Sequence, residues 1–285
     1  MRQGRRTGTT ALLVGPAAAF FLLLLVLPLA VVVIYSFGER GAAGGYSPAF
    51  TFDNYLSLAT RGQAFLNTLL LAPLGTLLCA LVAFPLAYFL AVKTSPRWRT
   101  MLLVLIIVPF WASQLLRIYA WLLILGNRGI PSLLDLLGMD GVRLINTRFA
   151  VLLGMVYGYL PLMVFPIYVS LEKLDRRLLE ASADLGAGAW GTFRQVTLPM
   201  SIAGVATGSL LVFILLMGEF IIPALLGGGK VFFIGNALVD LFLQSRNWPF
   251  GAAIAVSMVA IMLATIALYM RFMLGRSGLR QQALV

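Results

Sequence analysis

Six apolar runs, each long enough to cross a bilayer, constrain this 285-residue chain more than any other feature of it. They cover residues 12–35, 65–92, 101–125, 149–171, 200–224 and 250–274. A helix needs about 20 predominantly apolar residues to traverse the hydrocarbon core. The pattern predicts an all-α fold: a polytopic membrane helix bundle of six transmembrane helices forming one domain over residues 1–285. Composition agrees, because 61% hydrophobic and 11% charged residues lie outside the range of soluble domains. The net charge of +11 does not point to nucleic acid, since the basic residues fall mainly in short connections between apolar runs.

Arg2, Arg5 and Arg6 precede the first run as they would a signal peptide. At 24 residues the run exceeds a signal core, and no small-residue cleavage pattern follows before Tyr35, Ser36 and Phe37, so it is expected to be a retained span. With the N-terminus in the cytoplasm, the inner segments hold thirteen Lys and Arg residues and the outer loops seven, which favours both termini inside. Residues 1–11 and 275–285 are then cytoplasmic tails. The apolar stretch 231–243 is too short to span and reads as an interfacial or re-entrant helix with Asn236 and Asp240 on one face. A second short helix is expected near Ile130 to Leu137. Trp98, Trp121 and Trp248 stand near span ends as interfacial anchors. Gly154 with Gly158, and Gly204 with Gly208, are small-residue pairs that let helices approach closely. No repeat of 20 to 50 residues is visible.

The longest inner connection, 172–199, is where function is most legible. Leu178, Leu179, Ala181, Ala183 and Leu185 favour a helix, Gly186 and Gly188 end it, and Pro199 suits the first turn of the fifth span. An exposed helix of small and apolar residues tipped with charge fits a groove on another protein, or rests on headgroups. Spacing decides between them. Glu180 and Ala181, Gly186 six after the glutamate, then Val196 and Leu198-Pro199 after nine intervening residues, resemble the E-A-A-x3-G-x9-I-x-L-P motif of permeases of binding-protein-dependent ABC importers. Ser182 replaces the second alanine and Val196 the isoleucine.

The resemblance implies the type I importer permease fold in the inner membrane of a bacterium. Its coupling helix, carrying Glu180, Ala181, Ser182, Asp184 and Gly186 and followed by Val196, Leu198 and Pro199, would sit in a cleft of a cytoplasmic ATPase. It also implies a second, related permease, two ATPase copies and an extracytoplasmic solute-binding protein. ATP and Mg would belong to the ATPase, with no cofactor on this chain. The only P-loop-like fragment, Gly227 to Val231, lacks the first glycine and the final Ser or Thr of that motif. Residues Pro109 to Trp121, Tyr168 to Asp175, Ile234 to Asn236 and Asn247 to Ala253 look like the spermidine/putrescine class. Permeases for phosphonates, opines and other small solutes share much of the pattern.

Polar residues inside the spans mark a candidate solute path. Ser113, Arg117 and Trp121 recur at four-residue intervals with Gln114 alongside, placing one polar face on the third span. An exposed charge at mid-membrane costs about 2.5–3.5 kcal/mol, so Arg117 is expected to face the bundle, to snorkel, or to pair with Glu219. Glu219 is the one acid within a span, and with Tyr119, Tyr157, Tyr159 and Phe220 it offers negative and aromatic partners to a cation. Alternating access, driven through residues 180–198, is the expected mechanism.

Two other classes compete. A secondary transporter or channel needs ionisable coupling sites in broken helices, for which only Arg117 and Glu219 qualify. An intramembrane enzyme needs a nucleophile or metal set. There is no histidine, hence no metal site expected, and the single Cys79 lies in an apolar run without a disulfide partner.

Overall fold

The computed structural model describes residues 14–282, with side chains throughout except at 176 and 272–282. The tail 1–11 with Arg2, Arg5 and Arg6, the start of the first run at residue 12, and the last residues of the 275–285 tail lie outside the described residues. In chain order the elements are α1 (Val14–Ser36), a hairpin of β1 (Glu39–Arg40) and β2 (Tyr46–Ser47), α2 (Asp53–Leu56) and α3 (Gly62–Tyr88). There follow α4 (Pro96–Trp111), α5 (Gln114–Leu125), α6 (Ile130–Leu136), α7 (Arg148–Glu172) and α8 (Arg176–Asp184). The chain closes with α9 (Ala189–Met217), α10 (Ile221–Leu226), α11 (Ile234–Gln244) and α12 (Trp248–Gln282).

Among the described residues five helices are long and apolar enough to cross a membrane, or six when the bent pair Pro96–Trp111 and Gln114–Leu136 is counted as one span. α6 and α11 form where short helices were expected, and the 11 residues of α11 rise about 16 Å, half a hydrocarbon core.

Three expectations are corrected. The third run is not one straight helix: it breaks after Trp111, and the two parts are bent by 90°. Pro109 lacks an N–H and crowds the carbonyl one turn back, and Ala112 and Ser113 then adopt extended backbone with ψ of 151° and 130°. Ser113 therefore lies at the break rather than on a shared helical face with Arg117 and Trp121. The fifth run ends at Met217, short of residue 224, because Gly218 and Glu219 leave the helix before α10 begins. At its other end α9 starts at Ala189, so Pro199 sits within a continuous helix. A π turn over Phe193–Thr197, closed by Leu198 N–H to the Phe193 carbonyl, precedes the proline and accommodates its missing donor.

The described chain clusters into two compact units, one of residues up to Gly62 with Ala237–Leu263, the other of Gln63–Asn236 with residues from Ala264 on. In the second, α9 packs along α7. A side chain at Gly204 would put its Cβ 2.6 Å from Ser170 Cβ, and one at Gly208 would come 2.9 Å from Met163 Sδ. Glycine at both positions is what permits this approach. Gly154 plays the same part toward α10, where a Cβ would meet Leu226 at 2.6 Å. Met155, Met163, Ile167, Leu216 and Met217 are fully buried around these contacts.

Candidate functional site

The first candidate is α8 and the turn after it. Asp175 caps the helix, its Oδ1 accepting from Arg177 N–H at 3.0 Å. At the far end Leu185, Gly186 and Ala187 donate back to Ala181, Ala183 and Ser182, with Gly186 in the left-handed region at φ 82°. Ser182 is buried and its hydroxyl meets that of Thr192 at 3.0 Å, which ties α8 to the first turn of α9. An alanine in its place has no group to make this bond. Glu180, Ala181, Asp184 and Gly186 are exposed, Val196 and Pro199 are half-buried, and Leu198 is 38% exposed. Leu185 is 89% exposed and Trp190 72%, a large apolar surface at the tip of a charged helix. Trp190 stacks on Phe193, whose ring in turn meets Phe84 of α3 edge-on at 5.5 Å.

The base of α8 is also held, by residues whose joint role sequence reading did not find. Glu172 at the end of α7 accepts from Tyr168 Oη at 2.7 Å and from Arg99 Nη1 of α4 at 3.2 Å. Arg99 Nη2 donates to the Ala91 carbonyl beyond α3 at 3.0 Å. Three chain segments therefore converge on one ion pair.

The second candidate is built around the break between α9 and α10. Glu219 is 5% exposed, and its Oε1 accepts from the backbone N–H groups of Phe220, Ile221 and Ile222 at 3.0, 2.9 and 3.2 Å. These are the orphan donors of a helix start, so the carboxylate caps α10 by its own side chain. Oε2 accepts from Tyr159 Oη of α7 and from Gln114 Nε2 of α5, the latter at 3.3 Å. Asn236 completes the knot, donating to the Phe220 carbonyl at 2.7 Å while its Oδ1 accepts from Phe233 N–H at 3.1 Å. Asp240, four residues further on, pairs with Arg61 at 2.9 Å.

Arg117 does not pair with Glu219. Its guanidinium carbon stands 5.5 Å from the centre of the Phe110 ring, and its Nε is buried without a hydrogen-bond partner. Trp121 and Tyr157 meet edge-on at 5.5 Å. A cleft of about 290 Å³ opens over the cluster, lined by Gln114, Tyr159, Leu215, Gly218, Glu219 and Phe220 among others. Non-helical backbone at membrane depth is tolerated where protein or a water-filled cavity covers it, and this cleft is such a place. Among the described residues no cluster of His, Cys, Asp or Glu has the composition of a metal site.

Residues 83–276 match the family described as the binding-protein-dependent transport system inner membrane component. The chain belongs to that family. It is 38% identical over 258 residues, 89% of this chain and 90% of the other, to the spermidine/putrescine transport system permease protein PotB of Haemophilus influenzae. Identity to the protein of the same name in Escherichia coli K12 is 38% over 257 residues, 88% of this chain and 93% of that one. The inner membrane ABC transporter permease protein YdcU of E. coli is 33% identical over 93% of this chain and 88% of its own length. A bacterial alginate ABC transporter, solved with an alginate-bound periplasmic protein, shares the fold at TM-score 0.76 and 17% identity, covering 93% of both chains. The chain is thus a multi-pass inner membrane permease of the ABC importer kind, and the sequence resemblance pointed to the right family.

Proposed function

We propose that the chain is one of two permease subunits of a polyamine importer, carrying spermidine or putrescine inward by alternating access. The observation that carries the substrate class is the 38% identity to spermidine/putrescine permeases, which extends over about nine-tenths of both chains rather than over one motif. In this reading both termini are cytoplasmic and 172–199 is the coupling loop. The exposed face of α8, with Glu180, Ala181, Asp184 and Leu185, seats in an ATPase subunit that holds ATP and Mg. A second permease completes the path, and a solute-binding protein delivers the cargo from outside.

The path runs past the cleft over Glu219. A polyamine is a chain of ammonium groups joined by methylenes, and the cleft offers a carboxylate floor with aromatic and aliphatic walls in Tyr159, Phe220 and Leu215. We assign Arg117, Trp121 and Tyr157 to the approach, with Ser113 at the joint between α4 and α5. Because Glu219 already accepts five hydrogen bonds, it acts on a passing cation mainly through its charge.

The test is uptake of labelled putrescine and spermidine by cells stripped of their own polyamine importers. They would express this chain with its partner permease, ATPase and binding protein. Saturable, ATP-dependent uptake is expected. Uptake of a different solute by the same assembled complex, with none of polyamine, would overturn the substrate class and leave the permease assignment standing.

A further inference from the structure

The stretch between α10 and α11 is buried backbone whose polar groups protein must satisfy. Val231, Phe233 and Ile234 are at most 4% exposed, and an unpaired N–H or C=O at such depth is costly. Two side chains of α3 supply partners. Asn67 Nδ2 donates to the Phe232 carbonyl at 3.0 Å, while its Oδ1 accepts from Gln63 Nε2 at 3.2 Å. The Thr68 hydroxyl accepts from Ile234 N–H at 2.9 Å and donates to the Ala64 carbonyl at 2.9 Å. Both residues are buried, Thr68 completely. On its other side the stretch lies against the break before α10. A Cβ at Gly235 would come 2.8 Å from the Glu219 carbonyl oxygen and 3.0 Å from that of Gly218. Asn236 bridges the two, taking Phe233 N–H on Oδ1 and giving Nδ2–H to the Phe220 carbonyl.

That carbonyl belongs to the same peptide unit as Ile221 N–H, which donates to Glu219 Oε1 at 2.9 Å. A peptide unit is planar, so fixing the direction of its carbonyl fixes that of its N–H. We propose that Asn236 is a positioning residue for transport. It holds this peptide, and through it the Glu219 carboxylate, in the orientation that the cleft presents to its solute, with Thr68 and Asn67 as its footing. Oε1 is gripped by three consecutive N–H groups of the break, so a twist of the middle peptide passes to the carboxylate. A charge that attracts a solute without being displaced acts from where it is held, and its effect depends on that orientation being set in advance. The footing carries the same constraint over 165 residues of sequence, from the start of α3 to the cleft. The inference rests on the reading of this cleft as the solute path.

Three variants of the full chain, each purified with its partner subunits, test this. Asn236→Ala removes the bridge, Thr68→Val keeps the shape of the footing but not its hydroxyl, and Thr68→Ser keeps the hydroxyl. Amide hydrogen exchange in nanodiscs is read on peptides covering 218–223 and 230–236, and putrescine imported per ATP hydrolysed is read in proteoliposomes with loaded binding protein. In Asn236→Ala and Thr68→Val, the amides of Phe220, Ile221 and Ile222 are expected to exchange about tenfold faster. Import per ATP should fall about fivefold in both, with Thr68→Ser close to the unaltered chain. A purely structural role would lower import and hydrolysis together as less complex forms, leaving their ratio unchanged, and that result would overturn the proposal. So would faster exchange confined to 230–236, or a serine variant no better than the valine one. Failure of both Asn236→Ala and Thr68→Val to assemble would make the network a folding element alone and equally overturn it. If the unaltered complex imports no putrescine, the polyamine reading fails, whereas exchange at 220–222 in Thr68→Val still decides this inference.

Discussion

Glu219 does two jobs that one substitution can separate. Its Oε1 holds three N–H groups at the start of α10, and its charge faces the cleft. Leaving buried donors without an acceptor costs about 1–3 kcal/mol each, so Glu219→Ala is expected to lower thermal stability and the yield of assembled complex. Glu219→Gln keeps an oxygen for the cap, and Gln114 can turn its amide to present an acceptor to the new NH2. The complex should then assemble and hydrolyse ATP while polyamine uptake falls about tenfold, the effect of ~1.4 kcal/mol of lost attraction. Unchanged uptake in the glutamine variant would remove the charge from the path. Packing offers a second residue-scale test. A methyl at Gly204 would come within 2.6 Å of Ser170 Cβ and closer still to the Pro166 carbonyl, so α9 must shift off α7. Gly204→Ala should cost about 1–3 kcal/mol and appear as a lower melting temperature in detergent. Glu219 stood out in the sequence as an acid in an apolar run. Its hydrogen-bond saturation did not, because two of its donors come from Gln114 and Tyr159, 105 and 60 residues away.

At the scale of the element, α8 and its terminating glycine make the most direct claim on a partner. Gly186 holds φ 82° with nothing within 4 Å of where a Cβ would be, so a substitution meets backbone strain but no clash. Strain of this kind costs about 1–2 kcal/mol. Gly186→Ala is therefore expected to fold and assemble with a modest loss of stability. Gly186→Asp should fold equally well and lose ATPase association, measured by co-purification, because the added carboxylate enters the proposed docking face beside Asp184. Co-purification of the Asp variant at the level of the Ala variant would count against α8 as the docking element. Helices were legible wherever one physical cause dominated: hydropathy for the spans, and motif spacing for α8. The breaks at Ala112 and Gly218 were not. Pro109 and the Gly218-Glu219 pair sit inside runs whose average hydropathy hides them, and the second break is further held by the distant donors Gln114, Tyr159 and Asn236. α9 starting at Ala189 escaped for the converse reason, since Pro199 reads as a helix start and the π turn before it has no sequence signature.

For the whole molecule the proposed function requires motion at α8 to reach the cleft over Glu219, and a continuous chain of contacts joins the two. Glu172 closes α7 three residues before the cap of α8, and it grips Arg99 at the start of α4. α4 ends at the break next to Ser113, and α5 begins there with Gln114, which donates to Glu219. Under that proposal a tilt of α8 pulls on α4 through one ion pair, and the break after α4 bears on the cleft through one hydrogen bond. Glu172 is 45% exposed at its side chain and Arg99 18%, so the pair belongs to the class worth about 0–1 kcal/mol to stability. That low value makes the test clean, because losing the pair should not unfold anything. Glu172→Gln retains an acceptor for Tyr168 and removes the charge that draws in Arg99. In proteoliposomes with loaded binding protein, ATP hydrolysis is expected to persist while polyamine imported per ATP drops several-fold, on the order of a 1 kcal/mol change in coupling. The exchange Arg99→Glu with Glu172→Arg should restore part of that ratio, since it remakes the ion pair while giving up the bond from residue 99 to the Ala91 carbonyl. If hydrolysis and uptake fall in parallel in Glu172→Gln, the ion pair supports assembly alone. If neither changes, force reaches the cleft through the α7 and α9 contact at Gly204 and Gly208 instead.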